Sequence, residues 1–171
     1  LYAGVECWLG GDADGSYTQQ AQTLLEQGED RTVEAKLWAW AAAVPDAVSA
    51  GTILQVIAKL EQEADANYVG RPVLMMSRAS AAHALQEGAL VRDNGKIVSA
   101  QGTPVIASGA IEDGDEPFAA IIGQPAVYAS PVRSVGVQEH TANLGTAIAE
   151  RVYAIGVDCD YRLAGTVDPT P

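Results

Sequence analysis

The sequence predicts an α+β fold organised around one long helix and one long pair of strands. Residues 16–43 run without proline and carry apolar residues at helical spacing. Residues 126–138 and 146–158 are two long extended segments with visible alternation, Val132, Ser134 and Gly136 against Arg133, Val135 and Val137. Between helix and strands, short all-apolar runs alternate with helical patterns, which predicts a mixed sheet with helices on it.

Residues 1–9 read as a strand, and the Gly- and Asp-rich residues 10–15 as a tight loop. Asp12 and Asp14 hint at a calcium loop, but Thr23 stands where the ligating glutamate belongs, so no calcium site is expected. The long helix opens on Ser16 with Gln19 three residues on, a capping-box pattern. Tyr17, Ala21, Leu24, Leu25 and Gly28, then Val33, Leu37, Trp40 and Ala41, mark its apolar stripe, and Pro45 stops it. At 1.5 Å per residue it spans roughly 40 Å. Trp38 and Trp40 point to a buried anchor at its far end.

Residues 44–50 read as a linker. Ile53, Val56, Ile57, Leu60, Ala64 and Tyr68 then form a clean stripe for a second helix over 51–68. Residues 72–76 are an apolar, buried strand, with Ser77 at the corner into a third helix that ends at Gly88. Asn94-Gly95 between two short strands signals a hairpin. Residues 102–108 and 118–122 read as strands and 112–116 as an exposed acidic loop. Residues 139–145 form the polar tip between the long strands, and 161–167 a final strand.

The 171 residues are 48% hydrophobic and 19% charged, ordinary for a globular chain of one domain or two small ones. No apolar run reaches the roughly 18 residues of a membrane helix. The 22 acids against 10 bases, a net charge of −12, repel nucleic-acid phosphates. A chain so charged, if it lives beside packed nucleic acid, contains it without gripping it. Cys7 and Cys159 lie at opposite ends with no CxxC, so two free, buried thiols are expected, and a bridge only if their strands are neighbours.

No recognisable active site, cofactor loop or metal set is present. Ser77 lacks the G-x-S-x-G elbow and reads as an N-cap. His83 lies among helical alanines, and no HExxH or second ligand pairs with it or with His140. Glu150 and Arg151, adjacent in a strand, point to opposite faces. They and Arg133 on the partnering strand are candidates for pairing across an interface, and His140 in the tip is a candidate to tune a contact near neutral pH.

The order of elements, with AGTILQVIAKLE, RPVLMMSRASAAHAL, QGTPVIASGAI, IGQPAVYAS and AERVYAIGVDC, resembles the major capsid proteins of tailed bacteriophages of the Hong Kong 97 type, especially those of actinobacterial phages. Gly102-Thr103-Pro104-Val105-Ile106 is similar to the family's segment after the hairpin, and Glu150-Arg151 to its pair in a long strand. The resemblance implies a Hong Kong 97-type capsid fold. Residues 1–49, with the spine helix 16–43, and the long strands 126–158 would form a peripheral domain. Residues 50–125 and the final strand and tail, 159–171, would form an axial domain. The spine helix would pack against the two long strands rather than against the 51–68 helix. Only about fifteen residues precede the spine helix, so the chain is expected to be a fragment or a subunit shown without the family's N-terminal arm and extended loop, and the family's lysine cross-link is not carried over.

The implied function is that of a non-enzymatic head-shell protein. It would assemble in the host cytoplasm into pentamers and hexamers of an icosahedral virion shell around DNA. Its partners would be copies of itself, with portal, scaffold or decoration proteins. Arg133, Glu139, His140, Asn143, Glu150 and Arg151 are the candidate interface residues. An encapsulin-type nanocompartment shell is the alternative within the fold; a small α/β hydrolase using Ser77, or a ligand-binding domain, is the alternative outside it.

Overall fold

The computed structural model describes residues 1–8, 16–44, 47–112, 117–139 and 144–168, without the side chains of Cys7, Trp8 and Gln138. The candidate calcium loop, most of the acidic loop and most of the polar tip lie outside these residues. The described chain forms two compact units, residues 1–33 with 127–154, and residues 34–126 with 155–171.

Helix α1 (Ser16–Ala42) contributes to both units. Its buried residues recur every fourth position: Tyr17, Ala21 and Leu25 early, Leu37 and Ala41 late. A row of every fourth residue drifts about 40° per step, because a turn holds 3.6 residues. Within each unit the buried row therefore turns gradually about the helix instead of following one straight line. Leu24 and Gly28, expected on the stripe, are exposed, and Trp38 rather than Trp40 is the more deeply buried tryptophan.

In the first unit, β1 (Tyr2–Trp8), β9 (Arg133–Glu139) and β10 (Leu144–Glu150) form an antiparallel sheet in the order β1-β10-β9. Ala147 and Ala149 are fully buried and pack with Ala3, Val5 and Val132 against Tyr17, Ala21 and Leu25. Small side chains let the helix lie close. At Gly136 a Cβ would come within 2.9 Å of both Thr18 Cγ2 and the Tyr17 ring.

In the second unit the core is a mixed five-stranded sheet. Its strands are β2 (Ala47–Ala50), β12 (Arg162–Val167), β7 (Ala119–Ile122), β3 (Val73–Ser77) and β6 (Val105–Ser108), in that order. Alternation sorts its two faces. Leu74, Met76, Ala119 and Ile121 share a cluster with Val56, Ile57 and Leu60 of α2 (Ile53–Asn67) and Ala81 and Ala84 of α3 (Arg78–Gln86). Met75, Ala120 and Ile122 share the other cluster with Leu37, Trp38 and Ala41 of α1. A strand covered on both faces has no polar side, which is why VLMM and AAII carry no alternation in sequence. Gly165 of β12 admits α2 closely; a Cβ there would lie 2.5 Å from Val56 Cγ1.

Local signals hold. Thr52 caps α2 by accepting from the Gln55 N–H at 3.3 Å. Ser77 caps α3 by accepting from the Ser80 N–H at 2.9 Å. The hairpin of β4 (Leu90–Asp93) and β5 (Lys96–Ser99) turns on Asn94 and Gly95, both at positive φ, as its two-residue turn requires.

Three expectations are corrected. The 44–50 linker contains β2, which pairs in parallel with β12 because Val48 and Ala50 pack on the core beside it. The two long strands are each broken. β8 (Pro125–Ala129) stops before Pro131, which has no N–H to give a ladder, and β10 stops at Glu150 before β11 (Tyr153–Val157). β8 pairs with β11 and β9 with β10, in separate sheets. At the break Ser130 donates its N–H to the Val152 carbonyl at 2.9 Å, and its hydroxyl accepts from the Val152 N–H at 3.1 Å. Finally, Cys159 is exposed and free, not buried, in the 3₁₀ turn Asp158–Asp160.

Below β8 and β11 the second unit closes with a clip. The Tyr68 hydroxyl donates to Asp158 Oδ2 at 2.8 Å and accepts from the Gln124 N–H at 3.1 Å, while its ring stacks on Tyr161 with centroids 5.1 Å apart. A Cβ on Gly123 would lie 2.3 Å from the Asp158 carbonyl oxygen. That contact is with backbone and cannot be relieved by a rotamer change. Gly123→Ala is therefore expected to lower stability by about 1–3 kcal/mol. Gly156→Ala, where a Cβ meets nothing within 4 Å, is its neutral control. Urea unfolding of the two variants checks this.

Candidate functional site

Alternation divides the β1-β10-β9 sheet into a helix-facing side and an outer side. The register places Glu150 opposite both Arg133 and Tyr2, Ile148 opposite Val135 and Gly4, and Thr146 opposite Val137 and Glu6. The outer side thus carries Ile148, Val135 and Val137 in its middle, and Tyr2 in the end row with Glu150 and Arg133. These apolar residues are exposed, Tyr2 at 79%, Val135 at 67% and Val137 at 62%. A Cβ added at Gly4 would lie 4.0 Å from Ile148 Cγ1, an ordinary contact. A contiguous exposed apolar patch on a small unit marks a contact surface more often than a catalytic one.

Of the candidate interface residues, Arg133, Glu139 and Glu150 are exposed on this outer side. Arg133 and Glu150 are cross-strand partners in register, and Glu139 pairs in register with Leu144. His140 and Asn143 lie outside the described residues.

Arg151 is placed differently. It follows the last residue of β10 and falls on the helix-facing side, opposite to Glu150 as alternation requires. Its Nη1 donates to Glu29 Oε1 at 3.1 Å and Oε2 at 3.0 Å. The Tyr153 hydroxyl donates to Glu29 Oε2 as well. The Arg151 N–H continues the ladder to the Leu1 carbonyl at 3.0 Å. Arg151 Nε is buried with no protein partner. The hydrogen bond with Tyr153 raises the Arg151 pKa above its ordinary value; burial opposes this and Glu29 reinforces it. Burial raises the Tyr153 pKa, and the bond to Glu29 pushes it the same way, so the phenol stays protonated as a donor at neutral pH.

Glu29 and Tyr153 were not among the sequence candidates. The one available signal was position: Glu29 follows Tyr17, Ala21 and Leu25 at the same four-residue step, where an apolar residue was due. In the second unit Glu34 of α1 fills a similar role, accepting from the buried Ser108 hydroxyl. There too, Arg162 of β12 lies 4.5 Å from the Trp40 ring centroid and donates to the Trp40 carbonyl.

Ser77 is 3% exposed, and its hydroxyl donates to Ser80 Oγ at 2.9 Å and caps α3. His83 of the same helix faces solvent. Among the described residues no group of three metal-ligating side chains occurs, and no helix is long and apolar enough to cross a membrane.

No protein-family model and no curated protein matches the sequence. Solved structures do match. The chain is similar to the SrpI encapsulin of Synechococcus elongatus, at 15% identity and a TM-score of 0.64, over 100% of this chain and 74% of that one. It is similar to a chain of Mycobacterium phage Che8, at 12% identity and 0.58, over 96% and 70%. It is also similar to the capsid of an empty GTA particle, at 13% identity and 0.54, over 96% and 71%. The fold is a Hong Kong 97-like capsid fold. At such identities the likeness speaks for the fold and leaves the site to its own residues.

The Glu29–Arg151–Tyr153 cluster is mostly buried, so removing one charge strands the other. Glu29→Gln and Arg151→Met are each expected to destabilise by about 1–3 kcal/mol, with a double variant well short of their sum. Urea unfolding of the cycle at pH 7 measures this coupling. The raised Tyr153 pKa gives a second outcome. The folded-state value exceeds the unfolded one near 10. Its contribution is therefore complete below about pH 10 and is lost as pH rises through the folded value. Tyr153→Phe should flatten the alkaline fall in stability above about pH 10.

Proposed function

We propose that the chain is a shell subunit, the major capsid protein of a tailed bacteriophage or prophage, acting without catalysis. The observation that carries this is the capsid fold over nearly the whole chain. The exposed apolar side of the β1-β10-β9 sheet supports it, being a surface that a monomeric domain has little reason to display. Shell subunits assemble through several different patches on one chain, and heterologous patches close into pentamers and hexamers when the rotation allows.

Under this reading residues 1–49 and 126–158 act as the peripheral domain, and residues 50–125 and 159–171 as the axial domain. Arg133, Glu139, His140, Asn143 and Glu150 serve contacts between subunits. Arg151 acts from within, holding the end of β10 on α1 through Glu29. The net charge of −12 suits a wall that encloses DNA and does not bind it. The natural setting is a virion assembled in a bacterial cytoplasm, with portal, scaffold or decoration proteins as further partners.

The encapsulin reading is supported by one observation of its own, the TM-score of 0.64 to the Synechococcus encapsulin over the whole chain. The two readings share the wall and differ in the contents.

Electron microscopy of the purified protein, with mass spectrometry and nuclease digestion of the contents, tests both. Closed icosahedral particles holding nuclease-protected DNA are expected. Particles filled with a protein cargo turn the assignment to an encapsulin. A monodisperse species of 17.8 kDa, with no particles under any assembly condition, overturns the shell reading.

A further inference from the structure

β9 is an edge strand of its sheet, and its outer side chains Val135 and Val137 are exposed. Its seven residues, Arg-Ser-Val-Gly-Val-Gln-Glu, are symmetric about Gly136 in a particular sense. Valines flank the glycine, uncharged polar residues follow, and the ends carry opposite charges. An edge with a basic end and an acidic end is self-complementary only when it meets itself antiparallel.

We propose that β9 pairs with β9 of a second copy of the chain, antiparallel, about a two-fold axis through Gly136. This deepens the shell reading and rests on it for its biological setting, by naming one contact between subunits. In this register Arg133 faces Glu139 of the second copy, Val135 faces Val137, and Gly136 faces Gly136. Opposed residues of an antiparallel pair share a sheet face. Both charge pairs and both valine pairs therefore fall on the outer side, extending the apolar surface of Tyr2 and Ile148 across the axis. Either hydrogen-bonding parity at Gly136 is a regular antiparallel pair, so the axis fits either one.

The alternatives fail on named residues. A parallel pairing in register sets Arg133 against Arg133. A slip of one residue sets Val135 opposite Gly136 of the second copy, so the two outer sides fall on opposite faces of the joined sheet and the two-fold is lost. The opposite edge, β1, has one charge, Glu6, and no basic counterpart. The helices leave room. α1 packs on Ala147 and Ala149 of β10 and also meets Gly136 and Ser134 of β9, so, lying between these two strands, it and its copy would stand two strand spacings apart, about 10 Å. Packed helices approach to about 8–10 Å. One strand pair is a small contact, weak alone and suited to a wall in which every subunit repeats it.

Cysteine trapping reads the register. In a Cys7→Ser, Cys159→Ser background, the double variant Val135→Cys with Val137→Cys places each thiol opposite one of the second copy. Mild oxidation should convert most of the protein to a covalent dimer on non-reducing gels. Val135→Cys alone sets its thiols on a diagonal, about 7–8 Å between backbones, beyond disulfide reach, and should stay monomeric on the gel. The exposed charges give an independent reading. Arg133→Glu or Glu139→Arg alone should reduce trapping at least five-fold, and the two together should restore it. No dimer in the double-cysteine variant, equal dimer from the single one, or no rescue by the charge swap overturns the pairing. Closed particles without the trapped dimer reject the pairing and leave the shell reading intact. A trapped dimer without particles supports the pairing and rejects the shell.

Discussion

The burial of each part of α1 against the sheet of its own unit is the constraint on which the rest depends. Here Tyr17, Ala21 and Leu25 are buried against the alanines of β10, while Leu37, Trp38 and Ala41 are buried against Met75, Ala120 and Ile122. Glu29 sits where the apolar series of the first unit would continue, and Glu34 begins the second unit's part of the helix; each is engaged by hydroxyl or guanidinium donors. Buried carboxylates require such donors. The same residues therefore fix which strand ends lie at which turn of the helix.

This arrangement explains what was legible in the sequence. Elements with local causes were readable: the cap at Ser77, the Asn94-Gly95 turn and the clean stripe of α2. The expected packing of the long helix on the long strands is met by its first part, on β10. Its later buried residues lie instead on the five-stranded sheet, and α1 shares no core cluster with α2. Features with distant causes were not readable. β2 exists because β12, far along the chain, offers it an edge. The breaks near Ser130 and Arg151 depend on bonds between two segments that neither segment announces alone. Glu29 looked like a solvated helix residue because its partner lies 122 positions away.

In the sequence, alternation around Arg133 and the Glu150-Arg151 pair named charges on two strands as interface candidates. It did not divide their labour. Glu150 faces out with Arg133 opposite it, whereas Arg151, one residue on, faces in and is taken up by Glu29. Adjacent opposite charges in a strand here mark a sheet whose two sides differ, one holding the sheet on the helix and one left exposed. The apolar members of the exposed side, Tyr2, Ile148, Val135 and Val137, escaped notice because valine and isoleucine in a strand read as core.

An acidic chain that meets its own copies must offset its self-repulsion at each contact. With 22 acids and 10 bases, few basic residues are available for this, so where each one stands matters more than how many there are. Arg151 and Arg162 are spent inside their units, on Glu29 and on Trp40. Arg133 is left on the outer side of the sheet, at the opposite end of an edge strand from Glu139. Charge placed so is neutral in the pair and repulsive in most other juxtapositions, so it selects one alignment against the rest at little cost in stability. The glycine at the centre of that strand then has two physical reasons. The helix beneath leaves no room for a side chain, and a flat, bare strand centre presents its backbone to an incoming edge.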